Sequence, residues 1–555
     1  MLAPAVQPVW DNIGRSAKNP FQFPRNQRIL AFPAITNIYR KGTLLSVMEY
    51  RTGGIIARAA MATGQIALNK GWRGLFAMPF RAWLSYLLAR RWLFVAMVVG
   101  AILLHLPTPA GLTHEGHIVL VMSVVATILF ITEPIPLPAV ALLIIVGQVL
   151  LIGLDSSEVA RSLMSDSVLF IMGSLMIAVA VVKQKLDKRL AFLIVRFTGT
   201  KTANVCMGIS LVSGVLASFI GEHTVAAMML PVGVTLIRLT SDDSGQVRSL
   251  AAVLLLSISY GASIAGIGTP SGGARNAIMI GYWREFFYDP ASPETWGYAI
   301  DYLRWMVFAY PLFLVQVPFV TAILFYTFKP KQKNIARAVV RLRAQLADQG
   351  KMKVSDWSTI LIFFAILLSW IFLSDGVGLG TVAVFGAAAF LIFGLVGWEE
   401  INNGVNWGVV LLYAAVISLG VEMKDTGAAL WVAENFLGLL KPLGGDSGIG
   451  LWAAVVALTA AVTNTMSNGA AVAVLGPIVL NLAVVAGEDP LILGFLTAVA
   501  SSFAYLTVVG TPACTIVYSS GYLRTTDFLK AGWKMIIVST ILTLIAAAAY
   551  WPLVE

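Results

Sequence analysis

Long apolar stretches of roughly 16 to 24 residues follow one another from about residue 92 to the end of this chain. A helix needs about 20 mostly apolar residues to cross the hydrocarbon core of a bilayer. The pattern therefore predicts an all-α polytopic membrane protein with about 11 transmembrane helices. The predicted spans are 92–107, 118–133, 137–154, 167–183, 249–270, 305–328, 357–374, 378–397, 407–423, 490–512 and 531–551.

Two further apolar stretches, 203–238 and 450–486, are each long enough for two short helices but carry polar residues near the middle. Irregular backbone at membrane depth is tolerated only where protein or a water-filled cavity satisfies it. We therefore predict two re-entrant hairpins that enter and leave on the same side. The interruptions, called here the first tip and the second tip, are Gly221-Glu222-His223-Thr224 and Thr463-Asn464-Thr465-Met466-Ser467-Asn468-Gly469.

Three landmarks of the first half recur in the same order in the second half. They are Gly221 and Ser467, 246 residues apart; Gly268-Thr269-Pro270 and Gly510-Thr511-Pro512, 242 apart; and Ser167 and Trp407, 240 apart. Each copy contains five full spans and a hairpin, and an odd number of spans turns the second copy upside down. Inverted repeats with helices broken near the membrane midplane are typical of secondary transporters.

Composition supports a membrane location, because only 12% of the residues are charged and the mean hydropathy is +0.82. An average soluble domain carries about 25% charged residues. Residues 1–91 hold 13 Lys and Arg against Asp11 and Glu49, which accounts for the whole net charge of +10. Because a hydrophobic span follows directly, we interpret this stretch as cytoplasmic and lying on anionic lipid rather than as a nucleic-acid arm.

Loop charges fix the predicted topology. With residue 91 inside, six spans return the chain to the cytoplasm at the linker 329–356, which holds eight Lys and Arg. The loop 282–304 falls outside, and five further spans place the C-terminus on the side opposite to the N-terminus. We expect the bacterial inner membrane. The predicted divisions are a basic N-terminal segment 1–90, a first repeat 91–328 that includes an additional first helix, the linker 329–356 and a second repeat 357–555.

The breaks are where ligands are expected. A broken helix leaves unpaired N–H groups that attract anions on one half and unpaired C=O groups that can coordinate cations on the other. Small polar residues in membranes often serve helix packing alone, but two clusters at repeat-related positions favour a function. The candidate substrate-binding residues are Glu222, His223, Thr224, Thr269, Pro270, Arg275, Asn276, Ser467, Asn468, Gly469, Thr511 and Pro512.

Five segments carry recognisable motifs: ITEPIPLPAVALLIIV (131–146), SVLFIMGSLMIAVAVVKQKLDKRLA (167–191), AAMMLPV (226–232), SIAGIGTP (263–270) and SSFAYLTVVGTPACTIVYSSGYL (501–523). In their order and spacing they resemble the divalent-anion/sodium symporter (DASS) family of the ion-transporter superfamily, from about residue 90 to the C-terminus. The resemblance implies a homodimeric elevator with a scaffold and a moving transport domain, and di- or tricarboxylates or sulfate as substrates. It also implies sodium coupling, with exchange in some members, and a sodium site at Ser467, Asn468, Gly469 and Thr511, with Thr463, Asn464 and Thr465 as further candidates.

The first tip departs from the family pattern of Ser-Asn-Thr, because it keeps none of these residues whereas the second tip keeps two. The repeat alignment predicts that Glu222, His223 and Arg275 lie close together. Ionisable groups in a membrane usually mark a pathway or a relay. Three hypotheses stay open. Arg275 supplies a fixed positive charge in place of sodium, Glu222 and His223 take up a proton, or a Glu222–Arg275 ion pair only locks the hairpin.

The sequence thus predicts a secondary active transporter that moves a small anion by an elevator mechanism, coupled to sodium or protons. The alternatives are a sodium-independent anion exchanger and an anion channel on the same scaffold. No nucleophile, metal cluster or phosphate-binding loop points to an enzyme or an ATP-driven pump, and we expect no cofactor beyond Na⁺ or H⁺. The expected partners are a small anionic substrate, membrane lipids and a second copy of the chain, with no nucleic acid.

Overall fold

The computed structural model describes residues 88, 90–184, 199–241, 244–347 and 352–554. The predicted basic segment 1–90 lies outside the described residues apart from Leu88 and Arg90. Within the described part, the chain is helical, and its one isolated bridge joins Lys201 and Asn334 in antiparallel fashion. The prediction of an all-α polytopic fold is confirmed.

The first half begins with short helices and continues with longer ones that surround the first tip. Its helices are α1 (Arg91–His105), α2 (His114–Thr132), α3 (Leu137–Gly147, continued by a π turn at Gln148–Ile152), α4 (Ser156–Ser162), α5 (Asp166–Lys183), α6 (Thr202–Ile220), α7 (Glu222–Thr240), α8 (Ser244–Ala265), α9 (Ala274–Phe287), α10 (Tyr302–Phe328) and α11 (Ala336–Ala347). Short 3₁₀ turns lie at Pro270–Gly272 and Pro293–Tyr298.

The second half follows the same plan. Its helices are α12 (Val354–Val377), α13 (Leu379–Ile392), α14 (Trp398–Gly404), α15 (Trp407–Asp425), α16 (Ala428–Leu440, followed by a 3₁₀ turn at Lys441–Leu443), α17 (Gly448–Thr463), α18 (Asn468–Ala486), α19 (Pro490–Ala500), α20 (Pro512–Ser519), α21 (Thr525–Ile545, followed by a π turn at Ala546–Tyr550) and α22 (Trp551–Val554). The helix starts repeat, since α12 begins 240 residues after α2, α15 begins 241 after α5, and α18 begins 246 after α7. That the two copies are inverted stays a prediction.

Length and composition agree with the predicted number of spans. Among the described helices, ten are long and apolar enough to cross a membrane, or up to eleven if the bent pair Ala428–Leu443 and Gly448–Thr463 is one span. Both arms of the first hairpin, α6 and α7, belong to the ten with 19 residues each. Their entry and exit on one side of the membrane therefore stays a prediction that helix length does not test.

The two predicted spans that include a Gly-Thr-Pro break end earlier than the apolar pattern indicates. The span 249–270 is helical only to Ala265, and the span 490–512 only to Ala500. Glycine and proline follow in both cases. Buried side chains form hydrogen bonds with the backbone groups that no longer have a partner within the helix. Asn276 Nδ2, for example, donates to the carbonyls of Gly266 and Thr269 at 2.7 Å each. Apolar character continues through both breaks, so the pattern alone overestimates the helix length.

The first hairpin turns within a single residue. Gly221 separates α6 from α7 with φ of +83°, a conformation that glycine adopts without the steric cost of a Cβ. The first arm is held against α8 at close range, because a Cβ on Gly261 would lie 2.6 Å from the Ser210 carbonyl oxygen. Near the tip, Ser218 Oγ donates to the Ala265 carbonyl at 2.9 Å. The tip is thereby placed beside the end of α8.

Candidate functional site

The Glu222 carboxylate is the point at which the two halves of the chain meet. Its Oε1 accepts hydrogen bonds from Asn468 Nδ2 at 3.0 Å and from Thr511 Oγ1 at 2.9 Å. Arg275 Nη1 lies 3.7 Å from the same oxygen, and the Glu222 and Arg275 side chains are only 9% and 2% exposed. One buried oxygen of the first tip therefore contacts the second tip, the second Gly-Thr-Pro break and a buried guanidinium.

Four helices begin at this carboxylate. Glu222 is the first residue of α7 and Asn468 the first of α18, whereas Arg275 is the second residue of α9 and Thr511 directly precedes α20. The first turn of a helix exposes unpaired N–H groups and carries a partial positive charge of roughly half a unit. Side chains from the starts of four helices therefore meet at one carboxylate, and helix N-termini of this kind favour an anion.

The second half also brings together two helix C-termini, the ends that favour cations. α17 ends at Thr463 and α19 at Ala500. Thr463 Oγ1 donates to the Ser501 carbonyl at 2.6 Å and to Asn468 Oδ1 at 3.0 Å. Carbonyl oxygens at unwound helix ends coordinate sodium in many transporters. Because helix C-termini carry a partial negative charge, this place suits a cation.

Asn464 holds the second tip against the segment after α19. Its Nδ2 donates to the Phe503 carbonyl at 2.9 Å, and its Oδ1 accepts from the Leu506 N–H at 2.9 Å. Its carbonyl accepts from Thr507 Oγ1 at 3.0 Å. Because its side chain and its carbonyl are engaged in fixing this segment, we assign Asn464 to the support of the tip.

The equivalent place in the first half contains a fixed cation. Arg275 Nη2 donates to the Ser263 carbonyl in the last turn of α8 at 3.4 Å. A Cβ on Gly266 would lie 2.4 Å from the same nitrogen, so glycine leaves the room that the guanidinium occupies. The Ser263 carbonyl near the end of α8 therefore accepts from a charged guanidinium, whereas the Ser501 carbonyl after α19 accepts from the neutral Thr463 hydroxyl.

Three buried polar atoms at the first tip and first break have no hydrogen-bond partner among the described residues: Glu222 Oε2, Arg275 Nε and Asn276 Oδ1. Burying a polar group without a partner usually costs about 1–3 kcal/mol. Thr269 is engaged, since its hydroxyl donates to the Ser218 carbonyl, and Pro270 opens the short 3₁₀ turn that follows. Two of the three unpartnered atoms, Glu222 Oε2 and Arg275 Nε, thus belong to the buried ion pair itself.

Other predicted site residues lie at the edge of this cluster. His223 is exposed, and no hydrogen bond or ion pair within the described part of the chain reaches its ring; Thr224 is half-buried and Pro512 exposed. Ser467 Oγ accepts from the Ala470 N–H at 3.4 Å and so caps α18. Thr465 Oγ1 donates to the Val462 carbonyl at 2.7 Å. The expected proximity of Glu222 and Arg275 is therefore observed, without a bond from His223 to either.

Tyr413 of α15 was not predicted as part of the site. A Cβ on Gly469 would lie 2.5 Å from the Tyr413 hydroxyl, so the tyrosine packs directly on the second tip. It is the single tyrosine of the predicted span 407–423, and the repeat offers no counterpart because the residue 241 positions earlier is Met172. The amino-acid sequence holds no signal that separates it from an ordinary membrane tyrosine.

Comparison with known proteins decides the family. The sequence profile described as "Sodium:sulfate symporter transmembrane region" matches residues 89–555. The chain belongs to the sodium:sulfate symporter family. This confirms the resemblance to sodium-coupled anion symporters, and it confirms that the chain is a transporter and not an enzyme. A secondary anion transporter embedded in the membrane is therefore established as its broad class.

Named relatives of this chain align over most of their length. The sodium-dependent high-affinity dicarboxylate transporter 3 of Caenorhabditis elegans is 27% identical, over 76% of this chain and 81% of the relative. The sodium-dependent dicarboxylate transporter SdcS of Staphylococcus aureus is 26% identical, over 83% of this chain and 91% of the relative. Among solved structures, the chain is similar to the Alcanivorax borkumensis YdaH transporter, with a TM-score of 0.47, 12% identity and coverage of 70% of this chain and 86% of that one.

Proposed function

We propose that this chain carries a small dicarboxylate across the membrane, bound between the two tips and driven by sodium. The observation that carries the proposal is the convergence of four helix N-termini and Arg275 on the Glu222 carboxylate. The names of the relatives, which are sodium-dependent dicarboxylate transporters, support both the substrate class and the coupling ion. In this proposal the positive charge of Arg275 and of the helix N-termini is complementary to the negative charge of a dicarboxylate.

The substrate carboxylates are bound by first-turn N–H groups of the four helices and by the Arg275 guanidinium. Arginine suits this role because its planar fork matches the geometry of a carboxylate. Glu222 acts as a positioning residue, since its Oε1 holds Asn468, Thr511 and Arg275 at one point. Its negative charge also limits the positive potential, so that a bound dianion can leave again after transport.

We infer that one sodium ion binds, at the second tip. Ser467, Asn468, Gly469 and Thr511 are its candidate neighbours, beside the C-terminal ends of α17 and α19. In the first half, Arg275 donates to a carbonyl at the end of α8 and supplies a permanent positive charge there. This geometry supports the hypothesis that Arg275 replaces a sodium ion over the hypothesis that Glu222 and His223 take up a proton, because the Glu222 carboxylate is already paired with Arg275.

An elevator movement of a dimer is part of the same proposal. Membership of the family and the two tips that meet at one carboxylate both support it, since both hairpins must then travel together with the substrate. In this scheme α6–α9 and α17–α20 move, and the N-terminus faces the cytoplasm of a bacterium, as the positive-inside rule indicates.

Asn468→Ala tests the site. The variant removes a donor to a buried carboxylate and an acceptor for Thr463 Oγ1. Loss of a buried hydrogen bond to a charged group costs about 1.5–3 kcal/mol. We therefore expect initial uptake of labelled succinate into proteoliposomes to fall by about tenfold or more.

Asn481→Ala is the matched control, because Asn481 lies in the same helix and its Nδ2 donates to the Pro477 carbonyl of that helix. We expect this variant to keep wild-type uptake. Uptake by Asn468→Ala equal to that of the control, at equal protein in the vesicles, contradicts the proposed substrate site.

A further inference from the structure

The linker after α10 is fastened to the base of the first hairpin, the end opposite to its tip. The Thr202 N–H, at the start of α6, donates to the Lys333 carbonyl at 3.0 Å, and the Ile335 N–H donates to the Thr200 carbonyl at 3.0 Å. These two bonds pair the linker with the chain that enters the hairpin. These hydrogen bonds therefore hold the linker in a defined position on the hairpin.

Helix α11 continues this attachment. It packs against α7, the second arm of the hairpin, and buries Ala338, Val339 and Leu342 completely or nearly so. Arg337 and Arg341, one turn apart, point away from this contact and are exposed, and Val340 between them is 60% exposed. The helix is thus amphipathic with an apolar side that is already covered by protein and a basic side that is free.

Basic side chains from three elements share this end of the hairpin. Lys201 precedes α6, Arg238 lies in the last turn of α7, and the remaining members belong to the linker and α11. All of them are exposed. The set, called here the basic base, consists of Lys201, Arg238, Lys331, Lys333, Arg337 and Arg341.

The neighbouring residues place the basic base at the level of lipid headgroups. Tyr326, in the last turn of α10, is 72% exposed. Lys534 Nζ lies 5.1 Å and Lys329 Nζ 5.9 Å from the centre of its ring. Lys534 Nζ also donates to Thr327 Oγ1 at 2.9 Å. Exposed tyrosine with lysine at the end of a spanning helix is typical of the boundary between hydrocarbon and water.

We propose that the basic base binds the phosphate groups of anionic lipids and so stabilises the position of the first hairpin in which this base lies at the membrane surface. The charge is complementary to phosphate, clusters of four to eight Lys and Arg beside a membrane span are typical of such binding, and the exposed Val340 can enter the headgroup region. Because α11 contacts α7 and α7 begins at Glu222, lipid binding acts on the helix that carries the substrate site. Acidic proteins and nucleic acids would match the charge of the basic base, but not the boundary between hydrocarbon and water that Tyr326 and Lys534 indicate beside it.

The test compares the purified full-length chain with R337Q/R341Q in detergent micelles that contain phosphatidylcholine and increasing phosphatidylglycerol. Native mass spectrometry measures the lipid retained by each protein. We expect R337Q/R341Q to retain phosphatidylglycerol about tenfold less strongly, because two of six cationic contacts are lost. R161Q/K441Q, which removes two exposed charges near the predicted opposite face, serves as the matched control and should retain phosphatidylglycerol as the wild type does.

Two results overturn the proposal: equal retention by R337Q/R341Q and the wild type, or retention of phosphatidylcholine as strong as that of phosphatidylglycerol. Melting temperature in phosphatidylcholine alone shows whether the variant is folded. If it is not, R337K/R341K keeps the charge, and its retention should match the wild type. Lipid retention does not depend on the transported substrate, so failure here is distinct from failure of the proposed dicarboxylate transport.

Discussion

Arg275→Met is expected to abolish dicarboxylate uptake and to destabilise the protein strongly. The substitution preserves volume and apolar contact but leaves the Glu222 carboxylate, with a side chain only 9% exposed, without its cation. Removing one partner of a buried ion pair costs about 3–5 kcal/mol, because the other charge stays buried and unpaired. Melting of the purified protein in detergent measures the loss of stability, and uptake into proteoliposomes measures transport.

The double variant Glu222→Gln/Arg275→Met separates a structural lock from a binding role. It removes both charges, and the carbonyl of the introduced glutamine can still accept from Asn468 and Thr511. Replacing a buried ion pair by neutral groups of similar volume is often close to neutral for stability. We expect the melting temperature to recover while uptake stays at least tenfold below the wild type.

Arg275→Lys is the conservative control, since it retains the charge but not the planar fork, and it should retain part of the uptake. Wild-type uptake by the double variant contradicts the role of Arg275 in binding and coupling. In that case the ion pair serves only to lock the first hairpin.

Gly532→Ala is expected to destabilise the protein and to slow transport, although Gly532 contacts no predicted ligand. A Cβ at this buried position of α21 would lie 2.4 Å from the carbonyl oxygen and 2.6 Å from the carbonyl carbon of Tyr505. The obstacle is backbone, which cannot rotate away, so the segment after α19 must shift. Overpacking of this kind typically costs about 1–3 kcal/mol.

Transport should suffer as well, because the displaced segment includes Leu506, whose N–H donates to Asn464 Oδ1 of the second tip. Gly438→Ala is the matched control, since a Cβ on this glycine of α16 meets nothing within 4 Å. Alanine there should stabilise the helix slightly. Equal melting temperatures and equal transport rates for Gly532→Ala and Gly438→Ala would show that α21 does not pack closely on the segment after α19.

The sequence predicted the spans and the breaks because a membrane imposes simple rules on them. Apolar length identifies a spanning helix, and polar residues within such a stretch identify the tips and the place of Glu222. The prediction of helices failed where the length of an apolar stretch differs from the length of the helix that it forms. Helix α16 was missed because it is short and buries one face only, including Ala429 and Ala433. The span 490–512 was too long because apolar residues continue beyond the end of α19.

Only some of the contacts at the site could be predicted from the sequence. The proximity of Glu222 and Arg275 followed from the repeat alignment. That Glu222 Oε1 also reaches Asn468 and Thr511 depends on how the two halves dock, which joins residues 246 and 289 positions apart. No periodicity encodes such a contact. The packing of Tyr413 on Gly469 has the same origin.

The central claim is that Arg275 takes the place of a sodium ion in the first half of this anion carrier, so that sodium binds only at the second tip. The sodium dependence of uptake tests this claim most directly. Initial uptake of labelled succinate into proteoliposomes is measured against external sodium at constant pH and constant membrane potential. The predicted result is a hyperbolic dependence with a Hill coefficient of about one. A sigmoidal dependence with a Hill coefficient of about two contradicts the claim, and so does uptake that is independent of the sodium concentration.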